Sequence, residues 1–307
     1  ALAARVHDAA RMLGYRHNAA ASALRRADGI TASIGLILED VANPFFSAVH
    51  RGIEDVARER GYLTFTGSSD EDPQRERGLA AAFAARNVDG LIIAPSPDDH
   101  GYLADEQAHG VRFVFVDRPP GFLDADTVVS DNRAGARAAV DQLVAGGHRR
   151  IGFIGDRADL FTAAERLAGY RDALAAGGLA HDPWLVRHAG SGGLQAGRAA
   201  TELLAGPDPP TALFSAQNLI TVEVVRVLHA LGVHHAVAHV GFDDVTFGDL
   251  VEPAITVVAQ DPREIGLRAA QLLFERLDGL PGRSRQVVVP TRMIRRGSGE
   301  IPPPGGP

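Results

Sequence analysis

Carboxylates, amides and aromatic rings recur in this sequence directly after short apolar runs. Glu39-Asp40-Val41-Ala42-Asn43-Pro44-Phe45-Phe46 follows IGLIL (34–38), Asp117-Arg118-Pro119 ends VRFVFVD (111–117), and Asp131-Asn132 follows TVVS (127–130). Ser215-Ala216-Gln217-Asn218 and Gly241-Phe242-Asp243-Asp244 take the same place further on, and Arg166 opens the helix expected after IGFIG (151–155). Carboxylates and amides bind pairs of hydroxyls, a guanidinium offers a fork of donors, and a ring covers an apolar sugar or base face. A helix cap accounts for any one such cluster. Five at one topological position point to a shared binding site.

Covalent and metal chemistry find little support. The 31 basic residues are all arginine and cysteine is absent, which excludes a Schiff-base lysine, a phosphate-loop GKS/GKT, a disulfide framework and a thiolate metal site. No GxSxG elbow, HExxH or GxGxxG precedes a suitable element. Asp243 and Asp244 are adjacent on an extended chain and point apart. His235 and His239 could share a face, but no carboxylate at helical spacing completes a metal site. The run Gly190-Ser191-Gly192-Gly193 reads as a plain loop. We therefore expect no catalytic residue, metal or cofactor.

Positioning such a site requires a regular scaffold, and the apolar pattern supplies one. The runs named above, with LTFTG (63–67), GLIIA (90–94), WLVRHA (184–189), ALFSA (212–216), AVAHVGF (236–242), ITVVA (255–259) and QVVVP (286–290), read as strands, and most are continuous apolar runs as expected of parallel strands covered on both faces. Amphipathic segments lie between them: Phe46–Arg60, Pro73–Arg86, Arg133–Ala145, Ala163–Ala176, Leu194–Leu204, Thr221–Leu231 and a long helix after Ala259. Alternating strand and helix means a doubly wound α/β fold. Too many strands for one sheet, with a break near Val129–Asn132, predict two Rossmann-like lobes. Ligands bind outside the carboxyl ends of such strands.

The N-terminal segment differs in charge. Residues 1–30 hold five arginines against two aspartates, a net of +3 in a chain of −7, which leaves −10 for the remainder. A basic arm on an acidic body suggests that the arm meets a polyanion. GYRHNAAASALRR (14–26) reads as a short helix of small residues with Asn18 as its cap. No apolar run is long enough to span a bilayer, and charges interrupt the first 18 residues where a secretory signal would be apolar. The sequence opens on Ala rather than Met, as a fragment or a processed product does. A cytoplasmic location without membrane contact is expected.

Together the segments LGYRHNAAASALRR (13–26), IGLILEDVANPFF (34–46), NVDGLIIAP (87–95), VDRP (116–119), VVSDNRAGARAAV (128–140), GHRRIGFIG (147–155), ERLAGYRDAL (165–174), VGFDD (240–244) and ITVVAQDPREIGLRAAQLL resemble the lactose/galactose-repressor (LacI/GalR) family of transcription regulators, in family order and over almost the whole chain. The resemblance implies a periplasmic-binding-protein-like fold of type I behind a helical headpiece remnant and a hinge helix. Its parts would be a partial helix-turn-helix at 1–17, hinge and linker at 18–29, an N-terminal lobe of 30–130 plus 261–284, a C-terminal lobe of 131–260 plus 285–300, and a disordered tail at 301–307. It also implies that Phe45 and Phe46 face an effector and that Arg166 and Asp243 hold its polar groups. Asp117, Asp131 and Gln217 complete the expected effector set. Tyr15, Asn18, Ala21, Leu24 and Arg25 would contact double-stranded operator DNA, with Leu24 wedged into the minor groove.

Departures from the family pattern are Gln217-Asn218 in place of an Asn-Asp pair, His17 in place of a proline, and the loss of an aromatic near Gly192. The helix-turn-helix also needs two helices ahead of Arg5–Leu13 that this sequence does not include, so major-groove reading is expected to lie outside it. The function implied is a repressor, a homodimer joined through Ser47–Arg60 and Pro73–Arg86, whose operator affinity is set by a small polar effector such as a sugar. The alternative on the same fold is a solute-binding protein of a sugar transporter or a sensory receptor.

Overall fold

The computed structural model describes residues 30–305 except 98, 122, 191 and 192, and of the first 29 residues only Arg5, Asp8, Ala9, Met12 and Leu13. The expected DNA contacts Tyr15, Asn18, Ala21, Leu24 and Arg25, and the replaced aromatic near Gly192, lie outside the described residues.

Two sheets form two lobes. Strands β1 (Ser33–Leu38), β2 (Leu63–Ser68), β3 (Gly90–Ile93), β4 (Arg112–Val116) and β5 (Asp126–Ser130) build the first. Strands β6 (Ile151–Gly155), β7 (Val186–His188), β8 (Ala212–Ser215), β9 (Ala238–Phe242) and β10 (Thr256–Ala259) build the second. Strand β11 (Gln286–Val289) then returns to the first sheet and β12 (Arg292–Ile294) to the second, giving the orders β11-β5-β4-β3-β1-β2 and β12-β10-β9-β8-β6-β7. The two orders correspond strand for strand. All pairings are parallel except that of β12 with β10.

Helices cover both faces of each sheet: α1 (Pro44–Glu59), α2 (Pro73–Ala84) and the short α3 (Ala104–Ala108) in the first half, α4 (Asn132–Ala145), α5 (Phe161–Ala176), α6 (Gly193–Leu204) and α7 (Asn218–Ala230) in the second, then α8 (Pro262–Leu277). Asn43-Pro44, Asp72-Pro73 and Asp261-Pro262 start three of them. In each the Asx side chain accepts a first-turn amide and the proline occupies a position whose N–H has no helical partner. Helix α1 turns Phe46, Val49, Ile53 and Ala57 inward at helical spacing, where they join Ile34, Leu36 and Ile265 in one apolar core.

The final helices are exchanged between halves. Helix α4 follows the first sheet but packs in the second lobe with Phe153 and Tyr170, and α8 follows the second sheet but packs in the first. The chain therefore crosses between lobes after β5, after β10 and after β11. Close helix contact makes the α8 seat possible: a Cβ on Gly266 would lie 2.1 Å from the carbonyl oxygen of Val49, and one on Gly52 would lie 2.3 Å from that of Arg263.

Three expectations are corrected here. Residues 286–289 belong to the N-terminal lobe, because β11 pairs with β5 from Gln286↔Thr127 to Val289↔Ser130. Arg166 lies in the second turn of α5, which opens at Phe161. The tail expected to be disordered is anchored at its start: Ile301 packs against the second lobe's core, and its carbonyl accepts from His148 Nε2 at 2.9 Å. No helix among the described residues is long and apolar enough to cross a membrane.

Candidate functional site

The carboxyl ends of both sheets face one cleft between the lobes, with about 420 Å³ of empty space. Its walls are strand ends. Glu39 comes after β1, Asp117 and Arg118 after β4, Asp156 after β6, Gln217 and Asn218 after β8, Asp243 after β9 and Gln260 after β10. Asp117 and Asp243 occupy equivalent positions in the two sheets. Both adopt left-handed backbone, φ 69° and 71°, and both donate their N–H to the neighbouring strand, to Val128 O and Val258 O. That conformation is unfavourable for a residue with a Cβ, and its repetition in both lobes marks a turn each sheet needs to aim a carboxylate at the cleft.

Asn43 and Pro44 start α1 so that Phe45 and Phe46 stand edge to face in the cleft, ring centres 5.0 Å apart. Opposite them Arg166 is fully occupied on one side. Its Nε donates to Asn132 Oδ1 and its Nη1 to Ala216 O, each at 2.8 Å, and its guanidinium lies 4.0 Å above the Phe242 ring. Nη2 makes no hydrogen bond to the described residues. Asp243 is held by Gln260 Nε2 at 2.5 Å; burial pushes its carboxyl above the usual carboxylate range, opposed by the nearby charge of Arg166.

On the first lobe's wall Arg118 sits in a cage. Its Nε donates to Asp117 at 3.2 Å, Nη1 to Glu71 at 3.3 Å and Nη2 to Glu39 at 2.8 Å. Burial raises Glu39 to about 8; Arg118 works against that rise, while Glu71, Asp117 and Asp156 add to it. Burial also raises Glu71, with Arg118 opposing. Glu71 is aimed by two successive left-handed residues, Asp70 and itself, at φ 52° and 57°. Side-chain bonds bridge the lobes across the cleft: Asn218 Nδ2 donates to Asn43 Oδ1 at 2.7 Å, and Arg157 Nη1 to Glu71 at 3.4 Å.

Of the seven residues expected to meet an effector, Phe45, Phe46, Asp117, Arg166, Gln217 and Asp243 line the cleft. Asp131 does not. Its carboxylate caps α4, accepting from Ala134 N at 3.2 Å, and its neighbour Asn132 provides the oxygen that holds Arg166. Asp131→Ala is accordingly expected to cost about 1 kcal/mol of stability and to leave ligand affinity unchanged; melting curves with and without ligand check both. The cleft residues Asp156, Thr162 and Gln260 escaped the sequence reading, although Asp156 and Gln260 obey the same rule of following a strand.

The match to known proteins extends beyond the cleft. Residues 140–299 match the periplasmic binding protein-like domain. The HTH-type transcriptional regulator PtxS of Pseudomonas plecoglossicida is 36% identical over 305 residues, covering 98% of this chain and 87% of that protein. The solved complex of the transcriptional regulator CelR with cellobiose is 32% identical, with a TM-score of 0.77 over 96% of this chain and 89% of that one. A LacI family transcriptional regulator from Enterococcus faecium, solved with bound ribose, is 25% identical, with a TM-score of 0.78 over 88% of this chain and 99% of that one. With two α/β lobes around a polar cleft and this similarity along nearly its full length, the chain belongs to the LacI/GalR family of transcription regulators.

Proposed function

We propose that the cleft binds a sugar or sugar derivative and that its occupancy sets the operator affinity of a cytoplasmic, non-catalytic homodimeric repressor. The arrangement of Arg166 carries this reading: one free guanidinium nitrogen beside Asp243, facing the Phe45–Phe46 pair across a cleft between two lobes. Hydroxyls would donate to Asp243 and Asp117 and accept from Arg166 and Gln217, and the rings would cover the apolar face of the sugar. Bound ribose in the Enterococcus regulator and cellobiose in the CelR complex support this chemistry.

Control follows as a shift of population. An effector that touches both walls favours the arrangement in which Asn218 reaches Asn43. Asn43 starts α1, whose exposed face together with that of α2 we assign to the partner protomer. Closure would then reposition the two hinge segments, with Ala21 and Leu24 of each in the hinge helix and Leu24 at the minor groove, Tyr15 and Asn18 on the phosphate backbone, and Arg25 also on the DNA.

The test is a thermal-shift screen with ribose, glucose and cellobiose. A ligand at a hundred times its Kd stabilises by about 2.7 kcal/mol, and Asp243→Ala is expected to remove the shift without unfolding the protein. An unchanged shift in that variant would refute the site assignment.

A further inference from the structure

We infer that Arg118 is a specificity-determining residue whose carboxylate cage makes the cleft select uncharged sugars over their phosphorylated and acidic forms. The inference rests on the sugar reading above and adds the charge class of the effector. An anionic sugar needs a guanidinium with free donors, preferably two on one edge. Arg118 looks suited to that task from its place on the wall, but each of its three nitrogens already donates to a carboxylate, of Asp117, Glu71 and Glu39. Arg166 has given two of its three to Asn132 and Ala216. Arg166 Nη2 is thus the one nitrogen of the two guanidiniums without a hydrogen bond to the described residues, and neither offers an anion an edge on which both nitrogens are unengaged.

The wider balance of charge acts the same way. Glu39, Asp117, Asp156 and Asp243 line the cleft against Arg118 and Arg166. Even with Glu39 carrying a proton, three carboxylates face two guanidiniums. An incoming phosphate or carboxylate would lose its hydration in a site that already resists charging its own acids. The cage is built rather than incidental. Glu71 lies behind the wall, with its side chain only 2% exposed, on two successive left-handed residues, and it also receives Arg157 from the opposite lobe.

Calorimetric titration of the purified protein with matched pairs tests this: ribose against ribose 5-phosphate, glucose against gluconate and glucose 6-phosphate. Each neutral sugar that binds should do so at least about tenfold more tightly than its anionic partner, and Glu71→Gln, which opens the cage, should narrow that ratio by about tenfold. A purely structural role for Glu71 would weaken both members of a pair alike. An anion that binds the wild-type protein as tightly as its neutral parent overturns the filter and leaves the sugar reading standing. If no member of any pair binds, the sugar reading and the filter fall together.

Discussion

Arg166→Ala is expected to lower effector affinity by about a hundredfold, because a hydrogen bond from a charged group contributes roughly 1.5–3 kcal/mol and the wall that Arg166 orders goes with it. Four losses coincide. The ligand loses Nη2, Asn132 Oδ1 and Ala216 O lose their donor, the Phe242 face loses its cation, and Asp243 loses the charge that opposes its burial. Arg166→Lys should fall between, since a point charge cannot serve Asn132 and Ala216 together in the planar geometry of a guanidinium. Calorimetry with whichever sugar the screen identifies gives the measurement. A folded alanine variant with affinity within about threefold of wild type would remove Arg166 from the site.

The second large effect concerns the fold. Gly266→Ala sets two physical terms against each other. Alanine is the better helix former by about 1 kcal/mol, which alone would stabilise α8. Its Cβ, however, would lie 2.1 Å from Val49 O, a backbone atom that cannot rotate away. Steric conflict should win, at about 3 kcal/mol or more and a melting temperature lower by roughly 6–12 °C. Gly78 is the control. It lies inside α2 with nothing within 4 Å of a built Cβ, so Gly78→Ala should raise stability by about 0.5–1 kcal/mol. If both variants are stabilised, the α1–α8 contact is looser than described.

Much of this was legible in the order of residues. Apolar runs such as Leu91–Ile93 and Phe113–Val116 announce buried parallel strands, and the rule that ligands sit beyond strand carboxyl ends points to Phe45, Phe46, Asp117, Gln217 and Asp243, all of which line the cleft. What escaped was decided at distance or between neighbours. Asp131 and Asn132 are adjacent and both polar. The helix amides take the first and Arg166 the second, and nothing local separates them. Strand β12 holds Arg292, Met293 and Ile294, too short and mixed to register as a run, and it exists because β10 offers an edge. The Arg118 cage draws on Glu39, Glu71 and Asp117 from three separate turns, so its closure is a property of the sheet order rather than of any motif.

The exchange of helices and final strands between lobes has a consequence for biosynthesis. When the ribosome has delivered the chain as far as Ala259, the first sheet already has five strands, but it still lacks β11 and the helix whose Ile265 and Phe274 complete the core around Val49 and Ile53. The N-terminal lobe, although made first, can be completed only after five strands of the second lobe, β6 to β10, have been made, and it then closes through contacts separated by some 200 residues, as between Gly52 and Arg263. Contacts so remote in sequence fold slowly and leave apolar surface uncovered in the interval. Newly made chains should therefore be most exposed to aggregation and proteolysis along the open face of the first lobe, and a chain stopped just before Pro262 should be lost through that lobe even though most of the second is already in place.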